Sequence, residues 1–152
     1  MKNIKHKFTL ILTVAISGLL SCNTKPKDNP IVGSWELISA TSIEKDSTFS
    51  TFNAKNKMIK IINPTHFAFF NHEINPENDS LNTGFTAGGG EYTLKDSIYT
   101  ENLEYFIDRK WENNKFEFVV TIKDDTLTQK GVEKLEKLGI ERIIIEKYKR
   151  VK

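Results

Sequence analysis

Phe-Glu-Phe-Val-Val-Thr-Ile-Lys, residues 116–123, is the stretch that decides the fold class of this chain. Apolar side chains recur at every second position, and Glu117, Thr121 and Lys123 lie on the opposite face. Alternation with a period of two is typical of a β-strand that buries one face. Asp124 and Asp125 follow as turn residues, so the sequence predicts a hairpin into residues 126–128.

The same pattern extends over most of the chain after residue 33. The first strand is predicted to place Trp35, Leu37, Ser39, Thr41 and Ile43 on one face. Short turns separate the predicted strands, and long helical patterns of the kind that parallel sheets need are missing. The strands are predicted at residues 35–43, 58–62, 66–71, 92–94, 97–105, 116–123, 126–128 and 140–151. The expected fold is all-β, an antiparallel up-and-down barrel of about eight strands.

Two segments depart from the strand pattern. Apolar residues fall three apart over 132–138, and Gly139 is a suitable C-cap, so we predict a short helix before the last strand. Residues 75–90 are polar and glycine-rich, and are predicted to form the largest loop. Within them, residues 88–90 are three glycines, which favour a strand bulge or a tight barrel corner with positive φ over an anion-binding loop.

The N-terminus has the features of a secretory signal. Lys2, Lys5 and Lys7 precede an apolar run over 8–20, which ends at Leu19-Leu20-Ser21-Cys22. This ending resembles the lipobox of bacterial lipoproteins, in which a diacylglycerol is attached to the cysteine and the chain is cut just before it. The resemblance implies a signal peptide over 1–21, a lipidated Cys22 with a polar tether over 22–30, and a folded domain over 31–152.

Composition restricts the function of the remaining domain. Residues 1–21 carry three of the 22 basic residues and no acids, so 19 basic residues face 20 acidic ones in the remainder. A nucleic-acid partner is therefore not expected. Cys22 is the only cysteine, which excludes disulfides and cysteine-based catalysis in the domain. The tether lacks the acidic cluster that marks many surface-exported lipoproteins, which favours an outer-membrane anchor facing the periplasm.

The start of the domain carries a family resemblance. Gly33-Ser34-Trp35 resembles the Gly-x-Trp signature of lipocalins and the wider calycin superfamily. Residues 85–93, 99–105 and 146–150 are similar to small lipocalin-like lipoproteins of Bacteroidetes, whose function is largely uncharacterised. The resemblance implies that a 3₁₀ turn leads into the tryptophan, and that a basic residue of the last strand covers its indole. Arg150 is the main candidate for this residue, with Arg142 and Lys149 as alternatives.

Ten phenylalanines suggest an aromatic-lined interior. We expect a monomer that binds a small apolar or amphipathic molecule, with Glu101 or Arg142 as its polar anchor. The side chains expected to supply the apolar surface are Phe67, Phe69, Tyr99, Tyr105, Phe116 and Phe118. The alternative is a filled barrel that acts as an interaction or structural protein through its loops, because eight strands leave an interior that side chains can occupy.

Catalytic and metal sites have weaker support in the sequence. His66 and His72 are the only histidines after the signal, and with Glu73 nearby they could bind a metal ion. No third ligand at a diagnostic spacing is evident, however. Glu101 facing inward would be a partly buried acid with a raised pKa, which could serve as a general base. A convergent acid–base pair is not evident, so we predict no catalytic residues, no metal and no cofactor.

Overall fold

The computed structural model describes residues 29–74 and 84–152. Residues 1–28, with the predicted signal peptide, Cys22 and most of the tether, lie outside the described residues, as do residues 75–83 of the predicted loop. The strands are Gly33–Glu44 (β1), Ser47–Ser50 (β2), Asn56–Ile62 (β3), His66–Glu73 (β4), Thr86–Lys95 (β5), Ile98–Leu103 (β6), Tyr105–Phe106 (β7), Asn114–Lys123 (β8), Thr126–Leu135 (β9) and Ile140–Arg150 (β10).

Eight of these strands form a closed antiparallel barrel. They follow the order β1-β3-β4-β5-β6-β8-β9-β10, and β10 pairs with β1 to complete the ring. The two short strands pair at its sides, β2 with β1 and β7 with β5. The predicted all-β, up-and-down barrel is confirmed, and its architecture is consistent with a lipocalin-like fold.

The predicted helix over 132–138 is mostly wrong. Residues 132–135 belong to β9, and only Glu136–Leu138 form a 3₁₀ turn before β10. Pairing with the last strand decides this, because Leu135 lies opposite Ile140 and is buried in the core. Gly139 has the left-handed conformation expected of a C-cap, with φ of 66°, and its N–H donates to the carbonyl of Glu136.

A β-bulge changes the inward face of β1. Trp35 and Leu37 lie opposite inward residues of β10, but the register shifts between Leu37 and Ser39. Beyond the shift Ala40 and Ser42 are buried, so the predicted single face is wrong after Leu37. One extra residue in a strand moves the other set of side chains to the core.

The three glycines lie in β5 rather than in a loop, and none of them has a positive φ. A close backbone approach explains one of them. A Cβ at Gly90 would collide with the carbonyl of Asn102, where β5 leaves its pairing with β6 and begins to pair with β7. The glycine run therefore marks a corner of the barrel, as predicted, but through close approach and not through backbone conformation.

Trp35 closes one end of the barrel. The indole is fully buried, and its Nε1 donates to the carbonyl of Ile31 at 2.8 Å. A turn, in which Val32 N–H donates to Asn29, stands in the position of the expected 3₁₀ turn. The guanidinium of Arg150 lies 4.0 Å from the indole centroid and donates to the carbonyls of Val32 and Pro30 at 2.9 and 2.6 Å. The guanidinium thus makes a cation–π contact with the indole, and its hydrogen bonds hold the residues that precede β1.

Gly33 makes room for that contact. A Cβ at residue 33 would lie 2.5 Å from Nη1 of Arg150, and the residue has φ of 147°. Two constraints, space and backbone conformation, therefore favour glycine two residues before the tryptophan. The alternatives to Arg150 lie elsewhere: Lys149 is exposed and donates to Asp124, and Arg142 lies near the other end of β10.

Gly33→Ala is expected to destabilise the barrel by about 1–3 kcal/mol, because it strains the backbone and displaces Arg150. Urea unfolding of the full chain measures the change. Gly84→Ala is the matched control, since a Cβ there meets nothing within 4 Å. Equal stability of the two variants would contradict this account of Gly33.

Candidate functional site

The interior of the barrel holds a cavity of about 230 Å³, here called the interior cavity. One side is an aromatic wall formed by Phe69, Phe106, Trp111 and Phe116. Polar and charged side chains also line the cavity, namely Lys60, Glu101, Gln129, Glu133, Arg142, Glu146 and Tyr148. Aromatic and charged side chains thus line the same small volume.

Lys60 is the central charge of the site. Its side chain is 2% exposed, and its Nζ donates to Glu101 Oε1 at 2.6 Å and to Gln129 Oε1 at 3.0 Å. The three residues come from β3, β6 and β9, so closure of the barrel is what brings them together. Burying an ammonium group is costly unless it is paired, and the carboxylate and amide supply that pairing.

Three aromatic rings surround the same ammonium group. Its Nζ lies 5.7 Å from the ring centroids of Phe67 and Tyr99 and 5.3 Å from that of Tyr148. Ring faces at this distance stabilise a desolvated cation. The Tyr99 hydroxyl has no hydrogen-bond partner among the described residues. Burial, and then the charge of Glu101, raise its pKa, so it stays protonated at neutral pH.

Glu146 is a second interior acid. Its Oε2 accepts from the Tyr148 hydroxyl at 2.6 Å and from Gln129 Nε2 at 3.5 Å. Burial raises the pKa of Glu146, and the negative charges of Glu101 and Glu133 add to this, whereas Lys60 and the Tyr148 hydrogen bond oppose it. The pKa of Tyr148 is also raised, mainly by burial, so its hydroxyl remains a donor.

Arg142 and Trp111 lie together at another part of the cavity lining. Arg142 Nε donates to Glu133 Oε2 at 2.7 Å, and the guanidinium lies 5.9 Å from the Trp111 ring. Trp111 follows β7 in a 3₁₀ turn and packs near Phe106 and Phe116, with ring centroids 5.9 and 6.1 Å away. Arg142 precedes Arg150 by eight residues in β10, which is about 26 Å along a strand. This region is therefore distant from the Trp35 closure.

The structure brings most of the predicted ligand residues into the barrel. Phe69, Glu101, Phe116, Phe118 and Arg142 line the interior cavity, and Phe67 and Tyr99 pack around the Lys60 ammonium. The two predicted polar anchors are already occupied, Glu101 by Lys60 and Arg142 by Glu133.

Tyr105 is the exception. It is 67% exposed and faces a shallow apolar groove on the outer surface, with Phe70, Phe85 and Ile107. The sequence predicts that Tyr105 lines the interior, because the strand that contains Tyr99 is expected to continue through residue 105. The strand instead ends at Leu103, and Tyr105 begins the separate short strand β7 against β5.

Five residues that line the interior cavity were not predicted from the sequence as site residues: Lys60, Gln129, Glu146, Tyr148 and Trp111. Lys60 lies on the same face of its strand as Met58 and Ile62. The opposite face, with Ile59 and Ile61, is equally apolar, so the sequence alone does not decide which face is inward. A charged residue at an inward position of such a strand predicts a buried partner. Glu146 and Tyr148 alternate with exposed lysines in β10 and carried the same signal.

The histidines do not form a metal centre. His66 contacts Thr65 and lies 3.9 Å from Glu91, whereas His72 packs near Phe85. Over residues 29–74 and 84–152, no group of three potential ligands could hold a metal ion. Across the same ranges, none of the helical segments has the length and apolar character to span a membrane.

Comparison with known proteins adds no family to these observations: no family model and no curated protein matches the sequence. The site is therefore interpreted from its own geometry.

Lys60→Met is expected to destabilise the protein by about 3–5 kcal/mol, because it leaves Glu101 buried without its cation. Lys60→Met combined with Glu101→Gln removes both charges and should recover much of that loss. Urea unfolding of the two variants and of Glu101→Gln alone measures the coupling. Additive effects of the two substitutions would contradict a tight interior pair.

The free energy of unfolding of the unmodified protein is expected to fall as the pH rises, in part because of Glu146. The Glu146→Gln variant is expected to lack this part of the fall. Because the folded-state pKa of Glu146 lies above its ordinary value of 4.5, the folded protein holds this proton more tightly than the unfolded chain does. Its contribution to stability is greatest below that ordinary value and falls as the pH rises through the folded-state pKa.

Thermal unfolding from acid to neutral pH compares Glu146→Gln with Glu141→Gln, an exposed position on the same strand. Only the interior substitution should flatten the pH profile. Identical profiles for the two variants would show that Glu146 has an ordinary pKa.

Proposed function

We propose that this protein is an extracytoplasmic, lipid-anchored binding protein that holds a small amphipathic molecule in its interior cavity. The observation that carries the proposal is a cavity of about 230 Å³ that is lined both by an aromatic wall and by charged groups, of which Lys60 and Glu101 are buried. The wall offers apolar surface, worth about 25 cal/mol per Å² buried before the cost of association. The charged side offers hydrogen-bonding groups that would orient a polar end.

The lining argues against a purely apolar ligand. Such a molecule would displace water from Glu146, Glu133 and Arg142 without replacing its hydrogen bonds, which is unfavourable. The volume also lies below the range of about 300–1,000 Å³ typical of sites for drug-sized ligands. A small ligand with one polar end and one apolar end fits both constraints.

The N-terminal sequence supports the anchor. A lipid on Cys22 would be joined to the domain through residues 23–28, and Asn29 begins the described chain beside Tyr92, to which its Nδ2 donates at 3.3 Å. Asn29 begins the turn that leads into Trp35, so a tether would meet the barrel at its closed end. In a periplasm-facing monomer on the outer membrane, the Arg142–Trp111 region would then be directed away from the anchor.

The outer groove favours a second candidate function. Phe70, Phe85, Tyr105 and Ile107 are all exposed in this apolar groove of about 750 Å³. An apolar surface of this kind is typical of an interaction site. A structural or interaction lipoprotein acting through this face, with no small ligand, would give one dominant protein partner in cross-linking of intact cells.

Native mass spectrometry of the full chain, purified in mild detergent from its own cells, tests the proposed function. The expected result is a lipid adduct that Cys22→Ser abolishes, together with a bound small molecule. Trp111→Ala should reduce retention of the molecule, because Trp111 is part of the aromatic wall. Tyr105→Ala is the matched control, since Tyr105 lies outside the barrel.

A chain without a lipid adduct would contradict the anchor. A chain that carries no small molecule, or one retained equally by the Trp111→Ala and Tyr105→Ala variants, would contradict the binding site.

A further inference from the structure

The charges that line the interior cavity do not balance. Two basic side chains, Lys60 and Arg142, face three acidic ones, Glu101, Glu133 and Glu146. Each basic group already has an acidic partner, Lys60 with Glu101 at 2.6 Å and Arg142 with Glu133 at 2.7 Å. Within the described residues Glu146 is left without an ion pair.

The surroundings of Glu146 come from its own strand and from four others. Ala40 of β1 lies opposite it in the register, and Tyr148 on its own strand donates to it. Gln129 and Glu133 face it from β9, Lys60 from β3 and Glu101 from β6. The hydrogen bonds it receives are from neutral groups, and Lys60, the cation whose charge acts on it, is held by Glu101. Glu146 is thus the one cavity acid whose charge has no dedicated partner.

We propose that the interior cavity binds a small organic cation, with its ammonium group at Glu146 and its apolar part against the aromatic wall. This deepens the proposed function and rests on it, because it names the chemical class of the ligand. An incoming ammonium group would give Glu146 the counter-charge that the fold does not supply. Aromatic faces add to the binding of a desolvated cation.

An anion would meet the opposite situation. Each basic group of the lining already has an acidic partner, so a carboxylate ligand would add a further negative charge to a lining in which the acids outnumber the bases. A neutral alcohol would bury its apolar part equally well but would bring no positive charge to balance the Glu146 carboxylate. The charge of the ligand should therefore decide its affinity more than its shape does.

Proton release is a signature of this mode of binding. With its raised pKa, Glu146 carries a larger share of protonated acid in the empty cavity than an exposed glutamate does. Binding of an ammonium group favours the carboxylate, so the carboxyl proton passes to the buffer and the charge of the complex stays balanced. Affinity should rise with pH while the ligand remains protonated.

Three probes of matched ring and differing charge test the proposal: benzylammonium, benzyl alcohol and benzoate. Calorimetric titration uses the full chain in a non-ionic detergent near neutral pH. Benzylammonium is expected to bind at least about tenfold more tightly than benzyl alcohol, with benzoate the weakest. Binding heats in two buffers of different protonation enthalpy should show proton release for benzylammonium alone.

Variants identify the acid. Glu146→Gln should weaken the binding of benzylammonium about tenfold, weaken that of benzyl alcohol far less and abolish proton release. Glu141→Gln, an exposed acid on the same strand, should change nothing. The comparison of probes on the unmodified chain does not depend on folding of any variant.

The possible failures are distinct. If benzyl alcohol or benzoate binds as tightly as benzylammonium and Trp111→Ala weakens that binding, the cavity is a ligand site and the inference of a cation is wrong. If none of the three probes binds at millimolar concentration, or Trp111→Ala leaves all binding unchanged, the proposed function is overturned together with the inference.

Discussion

Hydrogen bonds between β1 and β10 join the first strand of the barrel to the last, from Trp35 opposite Arg150 to Ile43 opposite Ile143. This pairing is the constraint on which the rest of the structure depends. It removes the free edges of the sheet and converts one face of every barrel strand into an interior. A polar side chain at an inward position is then costly unless it finds a partner inside, because water cannot reach it freely.

The interior satisfies this constraint in two different ways. Around Trp35 the space is filled, and the polar tips of Trp35 and Arg150 bind backbone carbonyls of residues 30–32. Farther along the barrel, Lys60 and Arg142 pair with acids that come from other strands. The second arrangement leaves volume unfilled and one acid, Glu146, with only neutral hydrogen-bond donors. A filled barrel would have no reason to keep so many charges within its walls, since apolar side chains of similar size are often as stable there.

This division relates the two proposals. The closed end lies where the proposed tether would join the domain, whereas the charged cavity lies toward the Arg142–Trp111 region. A binding site separated from the anchor in this way would remain open to solute. The outer groove beside β4 and β5 shares Phe69 and Phe106 with the interior cavity. Its exposed rings support the alternative of a protein partner.

The sequence by itself determined the class of fold. Period-two alternation in residues such as 116–123, with short turns between strands, led to an antiparallel barrel, and Gly33, Trp35 and Arg150 were identified as its closure from a resemblance. Local patterns failed where pairing partners decided the outcome: residues 132–135 follow β10 into a strand, and a bulge after Leu37 exchanges the faces of β1.

Only the tertiary structure decided the site, because the contacts of Lys60 with Glu101 and Gln129 join residues 41 and 69 positions apart. No local sequence pattern predicts a contact between residues so far apart in the chain, because the order and register of all eight strands around the ring determine it.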